Sequence, residues 1–257
     1  MLKPRVIPCL LLRGRGLYKT VRFAEPKYVG DPVNAVKIFN EKEVDELLLL
    51  DITATVEKRD PNFELIADIA GECFMPLGYG GGVGSIDQIR KLHRMGVEKV
   101  CLNSSAFRNP RLVQESCDMF GSSSIVAAID VKKTLFGKHE VWIDSGRTNT
   151  REDPVRHAEK LAELGVGEIL VNSIDRDGTM SGYDAALLKK VASAVDTPVI
   201  ACGGAGTLDH IREALQAGVS AAAAGSMFVF HGKHRAVLIN YPPPETLAQL
   251  QLSPTTR

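Results

Sequence analysis

The stretches PLGYGGGV (76–83) and PVIACGGAG (198–206) decide how this chain folds. Each opens on proline, continues as a short apolar run and closes on a glycine cluster. Pro76 and Pro198 lie 122 positions apart. The same offset relates IRKLHRMGV (89–97) to IREALQAGV (211–219), and it relates Glu46 to Glu168, Asp51 to Ser173 and Ser104 to Ser226. A repeat of about half the chain indicates two fused half-structures, each with its own glycine-rich site. One match is broken. VAAID ends in Asp130, whereas its counterpart IPCLL near the N-terminus ends in Leu11.

Outward from these two stretches, short apolar runs recur at 5–11, 46–52, 75–79, 99–103, 124–130, 168–173, 198–202 and 221–225. They are nearly continuous in apolar residues, as parallel strands covered by helices are. Amphipathic stretches lie between them, with start signals at Asp31-Pro32, Ser85 and Asn109-Pro110. Gly96, Gly121, Gly165 and Gly218 mark helix ends. Eight strand–helix units predict a (β/α)8 TIM barrel with an internal half-barrel duplication. The halves cover about 1–120 and 121–240 of one domain spanning 1–257. A doubly wound open sheet is the alternative, but its inequivalent edges account poorly for equal halves. The segment 241–257, YPPPETLAQLQLSPTTR, reads as an irregular tail with a short final helix and a frayed end.

The 257 residues are 44% hydrophobic and 24% charged, which suits globular folding. A net charge of +0 gives no overall field to attract nucleic acid or an anionic membrane, so any phosphate site must be local. No apolar run approaches the roughly 18 residues of a membrane span. The apolar stretch near the start contains Pro8 and lacks a small-residue cleavage site, so it reads as a buried strand, not a signal peptide. The five cysteines form no C-x-x-C pair and read as free thiols of a cytoplasmic protein. The six histidines lack metal-ligand spacing, so neither metal nor cofactor is expected. Trp142 reads as packing.

Function in such a barrel sits where the strands end. GGG (80–82) before Ser85 and GGAG (203–206) before Thr207 bring bare backbone N–H groups to helix starts. Asn103-Ser104 and Gly225-Ser226 close the next strand in each half. The pattern reads either as two phosphate sites on opposite sides of the mouth or as tight turns that need glycine. With phosphate, the ligand carries two phosphate-like ends set far apart. Asp130 closes an apolar run, so burial should raise its pKa and suit it to general acid–base work. Asp51 closes LLLLD. Asp175 and Asp177 flank Arg176, and one of them could tie that arginine in place. Lys19 could neutralise a phosphate or an oxyanion, although a lone loop lysine is usually solvated.

DITA (51–54), GGG (80–82), LNSSA (102–106), AID (128–130), SIDRDGT-x-x-GYD (173–184) and GGAG (203–206) resemble the cyclase subunit of imidazole glycerol phosphate synthase. The likeness extends to about residue 230. It implies a barrel, of lyase type, with a glutaminase subunit docked on its N-terminal face and ammonia passing through a central channel. It implies phosphate contacts at Gly82, Asn103 and Ser104, and at Gly178, Gly204, Gly225 and Ser226. A charged gate falls on Arg5, Glu46, Lys99 and Glu168, which begin strands one, two, four and six and should form one ring at the floor. Lys19, Asp51 and Asp177 fall on supporting active-site positions. Of the two catalytic aspartates, Asp130 matches the second and Leu11 replaces the first. Leucine cannot transfer a proton. Together with HGKHRAVLINYPPP (231–244), this departure resembles a divergent paralogue group associated with surface-polysaccharide (O-antigen) sugars. The partner there is an ATP-dependent sugar amidotransferase that makes an acetamidino sugar. Cyclisation in histidine biosynthesis is the alternative.

Overall fold

The computed structural model describes residues 4–250. Eight parallel strands run in order: β1 (Arg5–Arg13), β2 (Leu47–Asp51), β3 (Leu77–Gly80), β4 (Lys99–Leu102), β5 (Ile125–Lys133), β6 (Glu168–Ser173), β7 (Val199–Cys202) and β8 (Ala221–Ala224). Each pairs with the next, and β8 returns to β1 with Ala221 opposite Arg5. The sheet is therefore a closed (β/α)8 barrel whose strands leave no free barrel edge. The open-sheet alternative is excluded by that closure.

Helices α1 (Pro32–Glu41), α2 (Phe63–Gly71), α3 (Ile86–Arg94), α4 (Pro110–Phe120), α5 (Pro154–Glu163), α6 (Ala185–Ala192), α7 (Leu208–Gln216) and α8 (Pro244–Ala248) cover the strands. Their ends follow from local chemistry. Asp31 accepts from the Asn34 N–H with Pro32 at the first turn, and Ser85 and Gln88 form a reciprocal capping box. Gly96 and Gly218 follow α3 and α7 with φ of 97° and 100°, the left-handed turn that stops a helix.

The period of two along each strand divides the apolar residues into two cores. Outward-facing residues such as Leu10, Leu49, Val100 and Ile129 join the helices in a large outer layer. Each fully buried residue of this kind stabilises by about 1.5–3 kcal/mol, so this layer holds the fold together. The inward phase is smaller: Ile7, Cys9, Leu48, Cys101, Val126, Ala128, Leu170, Ile200, Cys202, Ala221 and Ala223 fill the axis.

Three features depart from the sequence expectation. β1 and β5 run past Leu11 and Asp130, because chain returning from each strand end pairs with them antiparallel. Gly16–Val21 pairs with β1 and with Ala24–Gly30, while His139–Ile143 pairs with β5. A third excursion, Phe230–His231 paired with Ala236–Val237, follows β8. The segment from residue 241 forms the expected short helix, α8, but it is packed into the fold rather than irregular. Tyr241, Leu247 and Leu250 are buried in the outer core, and the Tyr241 hydroxyl donates to the Val6 carbonyl at 2.8 Å. The expected frayed end lies outside the described residues.

Candidate functional site

The C-terminal strand ends open into one cavity of about 850 Å³. Leu11, Lys19, Asp51, Gly82, Asn103, Ser104, Asp130, Asp177, Gly178, Gly204, Gly225 and Ser226 all line it, so the structure brings the expected mouth residues together. The two glycine clusters face it from opposite halves.

Asp130 sits on the inward phase of β5, and its neighbours on that phase are Val126 and Ala128. The Asn103 amide donates to one of its oxygens at 3.3 Å and the Asn172 amide to the other at 3.2 Å. Part of its surface stays open to the cavity, yet protein surrounds the carboxyl closely. That burial raises its pKa to about 7, with the Asn172 hydrogen bond pulling down and the charge of Asp177 adding to the rise. Both protonation states are therefore populated near neutrality, as general acid–base work requires. Across the mouth, Leu11 offers nothing to match. It packs with Leu50 against the inner core.

Asp51 is committed to its own loop. One carboxylate oxygen accepts from the Thr53 and Ala54 N–H groups, both at 3.0 Å, and the Arg59 guanidinium reaches both oxygens at 3.0 and 2.8 Å. Lys19 is a strand residue and is buried, contrary to the solvated reading. Its ammonium donates to the Cys9 carbonyl at 2.6 Å. Burial lowers its pKa, opposed by Cys9 and Asp177. Asp177 accepts from the Thr20 hydroxyl at 2.9 Å, and its own pKa is raised by burial against the pull of Lys19. Neither Asp175 nor Asp177 ties Arg176, whose guanidinium donates to Ser181. Asp175 accepts from the Lys133 N–H instead.

Close packing explains several glycines without any ligand. A Cβ on Gly204 would lie 2.2 Å from the Gly182 carbonyl oxygen, and one on Gly225 would lie 2.0 Å from the Lys19 ammonium. The tight-turn reading therefore holds at Gly204, whose φ is 121°, whether or not an anion binds, whereas Gly225, with φ of −111°, is required by the close approach of Lys19 and the Cys9 carbonyl. Ser104 donates to Asn103 at 3.2 Å and accepts from the Asp144 N–H at 2.9 Å. Trp142 stands opposite Asp130 in the β5 ladder.

At the opposite end, Arg5, Glu46, Lys99 and Glu168 form a closed ring of alternating charge. Arg5 donates to Glu46 at 2.5 Å and to Glu168, and Lys99 donates to Glu46 at 2.9 Å and to Glu168 at 2.7 Å. Both glutamates are buried. The ring lies on the same inward phase as the axis above it. Lys99, Cys101 and Asn103 follow one strand from floor to mouth, as do Glu168, Leu170 and Asn172. Each column is thus charged at the floor, apolar in the middle and polar at the mouth.

Sequence reading missed Arg59 and Asn172. Asn172 carried a visible signal, a polar residue directly after the apolar ILV of EILVNS and on the inward phase of the strand. Arg59 carried none, because it lies in an irregular loop eight residues beyond its partner Asp51.

A family model described as "Histidine biosynthesis protein" matches residues 5–235. A relative from Pseudomonas aeruginosa, named "Putative imidazole glycerol phosphate synthase subunit hisF2", is 55% identical over 243 residues, covering 94% of this chain and 97% of the relative. The Vibrio vulnificus protein named "Putative imidazole glycerol phosphate synthase subunit hisF3" is 49% identical over 246 residues, covering 95% of each. A Leptospira borgpetersenii protein, "Putative imidazole glycerol phosphate synthase subunit HisF", is 48% identical over 244 residues, covering 94% of this chain and 96% of the relative.

Proposed function

The chain belongs to the histidine biosynthesis protein family, and we propose that it is the ammonia-accepting, synthase-type subunit of a glutamine amidotransferase that does not close an imidazole ring. In this reading a glutaminase docks on the N-terminal face, over the ring of Arg5, Glu46, Lys99 and Glu168. Ammonia enters there and moves along the barrel axis. The inward side chains are apolar, so they favour neutral ammonia over ammonium, whose burial without a partner is costly. At the mouth, the glycine clusters, with Asn103, Ser104, Gly178 and Ser226 beside them, hold a phosphorylated small molecule at its two ends. The ammonia serves acetamidino-sugar formation in surface-polysaccharide (O-antigen) biosynthesis, through an ATP-dependent sugar amidotransferase.

The single observation that carries this reading is the contrast between the floor and the mouth. All four charges of the floor ring are present and paired. The mouth has Asp130 tuned to about 7 but Leu11 opposite it. Asp51 is a poor substitute acid or base, because Arg59 and two backbone N–H groups occupy its oxygens.

The test is reconstitution of this chain with the glutaminase, the amidotransferase, ATP and a nucleotide-activated N-acetyl sugar. Glutamine should yield acetamidino sugar only when this chain is present. The second reading is a working cyclase in histidine biosynthesis, favoured by the names of the relatives. Rescue of a histidine auxotroph lacking the cyclase by this gene alone would establish it and overturn the first.

A further inference from the structure

Eight large apolar side chains are exposed among the described residues, and six of them sit on excursions from the C-terminal strand ends. Val21 and Tyr28 lie on the excursion after β1, Leu135 and Phe136 on that after β5, and Val237 and Leu238 on that after β8. Leu135 and Phe136 are essentially fully exposed, at 103% and 98%. They form the tip of a hairpin whose Thr134 N–H donates to the Lys138 carbonyl at 2.8 Å, so the turn is ordered and still presents both side chains to water. Single exposed apolar residues need no explanation, but several on one face do.

The three excursions are linked: the Arg22 guanidinium donates to the Asp175 carbonyl at 3.2 Å, and the Asp175 carboxylate accepts from the Lys133 N–H at the base of the second excursion at 2.8 Å. Lys27 lies 5.5 Å from the Phe230 ring centre, joining the first to the third. Phe23 packs so closely on Gly146 that a Cβ there would lie 2.8 Å from its ring, joining the first to the loop beyond the second. The Arg22 N–H donates to the Asp177 carbonyl at 2.9 Å, so the first excursion crosses the mouth. Charge segregates here as well. Arg22, Lys27 and Lys233 are exposed on these segments against the exposed Glu25, and Lys138 is exposed beside Glu140 at 3.9 Å, in a chain whose overall charge is +0.

We infer that the three excursions form a docking surface around the cavity mouth for a second protein, one with an apolar face and an acidic rim. The inference rests on the reading that ammonia is handed on to another enzyme. Ammonia leaving an open mouth is protonated by water and lost, so a receiver must seat on the mouth itself. A bilayer would fit apolar and basic groups too. It would seal the cavity without accepting ammonia, and the observed continuity around a ligand-sized opening favours a protein.

The test is the double variant Leu135→Ser/Phe136→Ser in the reconstituted mixture of this chain, glutaminase, amidotransferase, ATP and sugar. Both side chains lie in solvent, and an unchanged melting temperature verifies folding. Glutamine-driven amidation should fall at least tenfold. Amidation driven by added ammonium, and stimulation of the glutaminase by this chain, should not change. If the wild type itself supports no glutamine-driven amidation, the proposed function fails. If the wild type supports it and the variant equals the wild type, the docking inference alone fails. Two further results also overturn it: binding of wild type, lost in the variant, to vesicles of phosphatidylcholine and phosphatidylserine, or a self-association in sedimentation that the variant abolishes.

Discussion

The two halves of the barrel agree at the floor and disagree at the mouth. Glu46 and Glu168, 122 positions apart, each accept from both Arg5 and Lys99. At the mouth, β5 presents a carboxyl held by Asn103 and Asn172, while β1 presents a leucine packed, like Leu50, against the inner core. A duplicated fold can therefore keep its symmetric parts where charge balance requires all members and lose symmetry where only chemistry did. Removing one member of a buried ion pair strands the other, whereas replacing a cavity carboxylate by leucine leaves no unpaired charge.

The largest effect should come from the symmetric part. Glu46→Gln and Glu168→Gln should each cut glutamine-driven product formation at least tenfold and by similar factors, with ammonium-driven formation unchanged. Comparing the two nitrogen sources checks this. Unequal factors would break the equivalence of the halves. Each variant should also lose on the order of 2–3 kcal/mol in denaturant unfolding. That is somewhat below the value for a fully buried pair, since the Arg5 and Lys99 side chains keep 28% and 18% of their exposure.

The next effect sharpens the asymmetry. Asp130 has a folded-state pKa raised to about 7, so between about pH 4 and 7 the folded chain keeps a proton that the unfolded chain releases. Its contribution to stability is full below pH 4 and is lost as pH rises towards and through 7. Asp130→Asn removes that slope. Thermal melts from pH 4 to 8 should show the variant gaining on the wild type as pH rises, by on the order of 2–4 kcal/mol. Leu11→Ala should show no such drift, because neither residue titrates.

The smallest effect concerns the anion sites. Gly225→Ala drives a methyl into the Lys19 ammonium and should weaken binding of inorganic phosphate about tenfold in thermal-shift titrations. Ser104→Ala should weaken it about threefold, since that hydroxyl is already engaged with Asn103 and Asp144.

Much of this fold was legible in the chain because a parallel strand buried on both faces is a continuous apolar run. The 122-residue offset located equivalent points of the two halves, and the resemblance to the cyclase subunit picked out the four charges that, opening strands, had to form the floor ring. The excursions were not legible. Gly16–Val21 and His139–Ile143 mix polar and apolar residues, and their pairing with β1 and β5 is set by where the chain returns. The burial of Lys19 was not legible for the same reason: its place on a strand over Cys9 depends on that pairing. The Asp51–Arg59 pair arises in an irregular loop, where spacing carries no orientation.

Leu11 decides whether this chain can close the ring. Purified chain should be incubated with ammonium and the formimino phosphoribulosyl substrate of the cyclase, beside the Leu11→Asp variant, and imidazole glycerol phosphate followed with time. The natural chain should give no product and Leu11→Asp measurable product. Sustained product formation by the natural chain, abolished by Asp130→Asn, would contradict the proposed function.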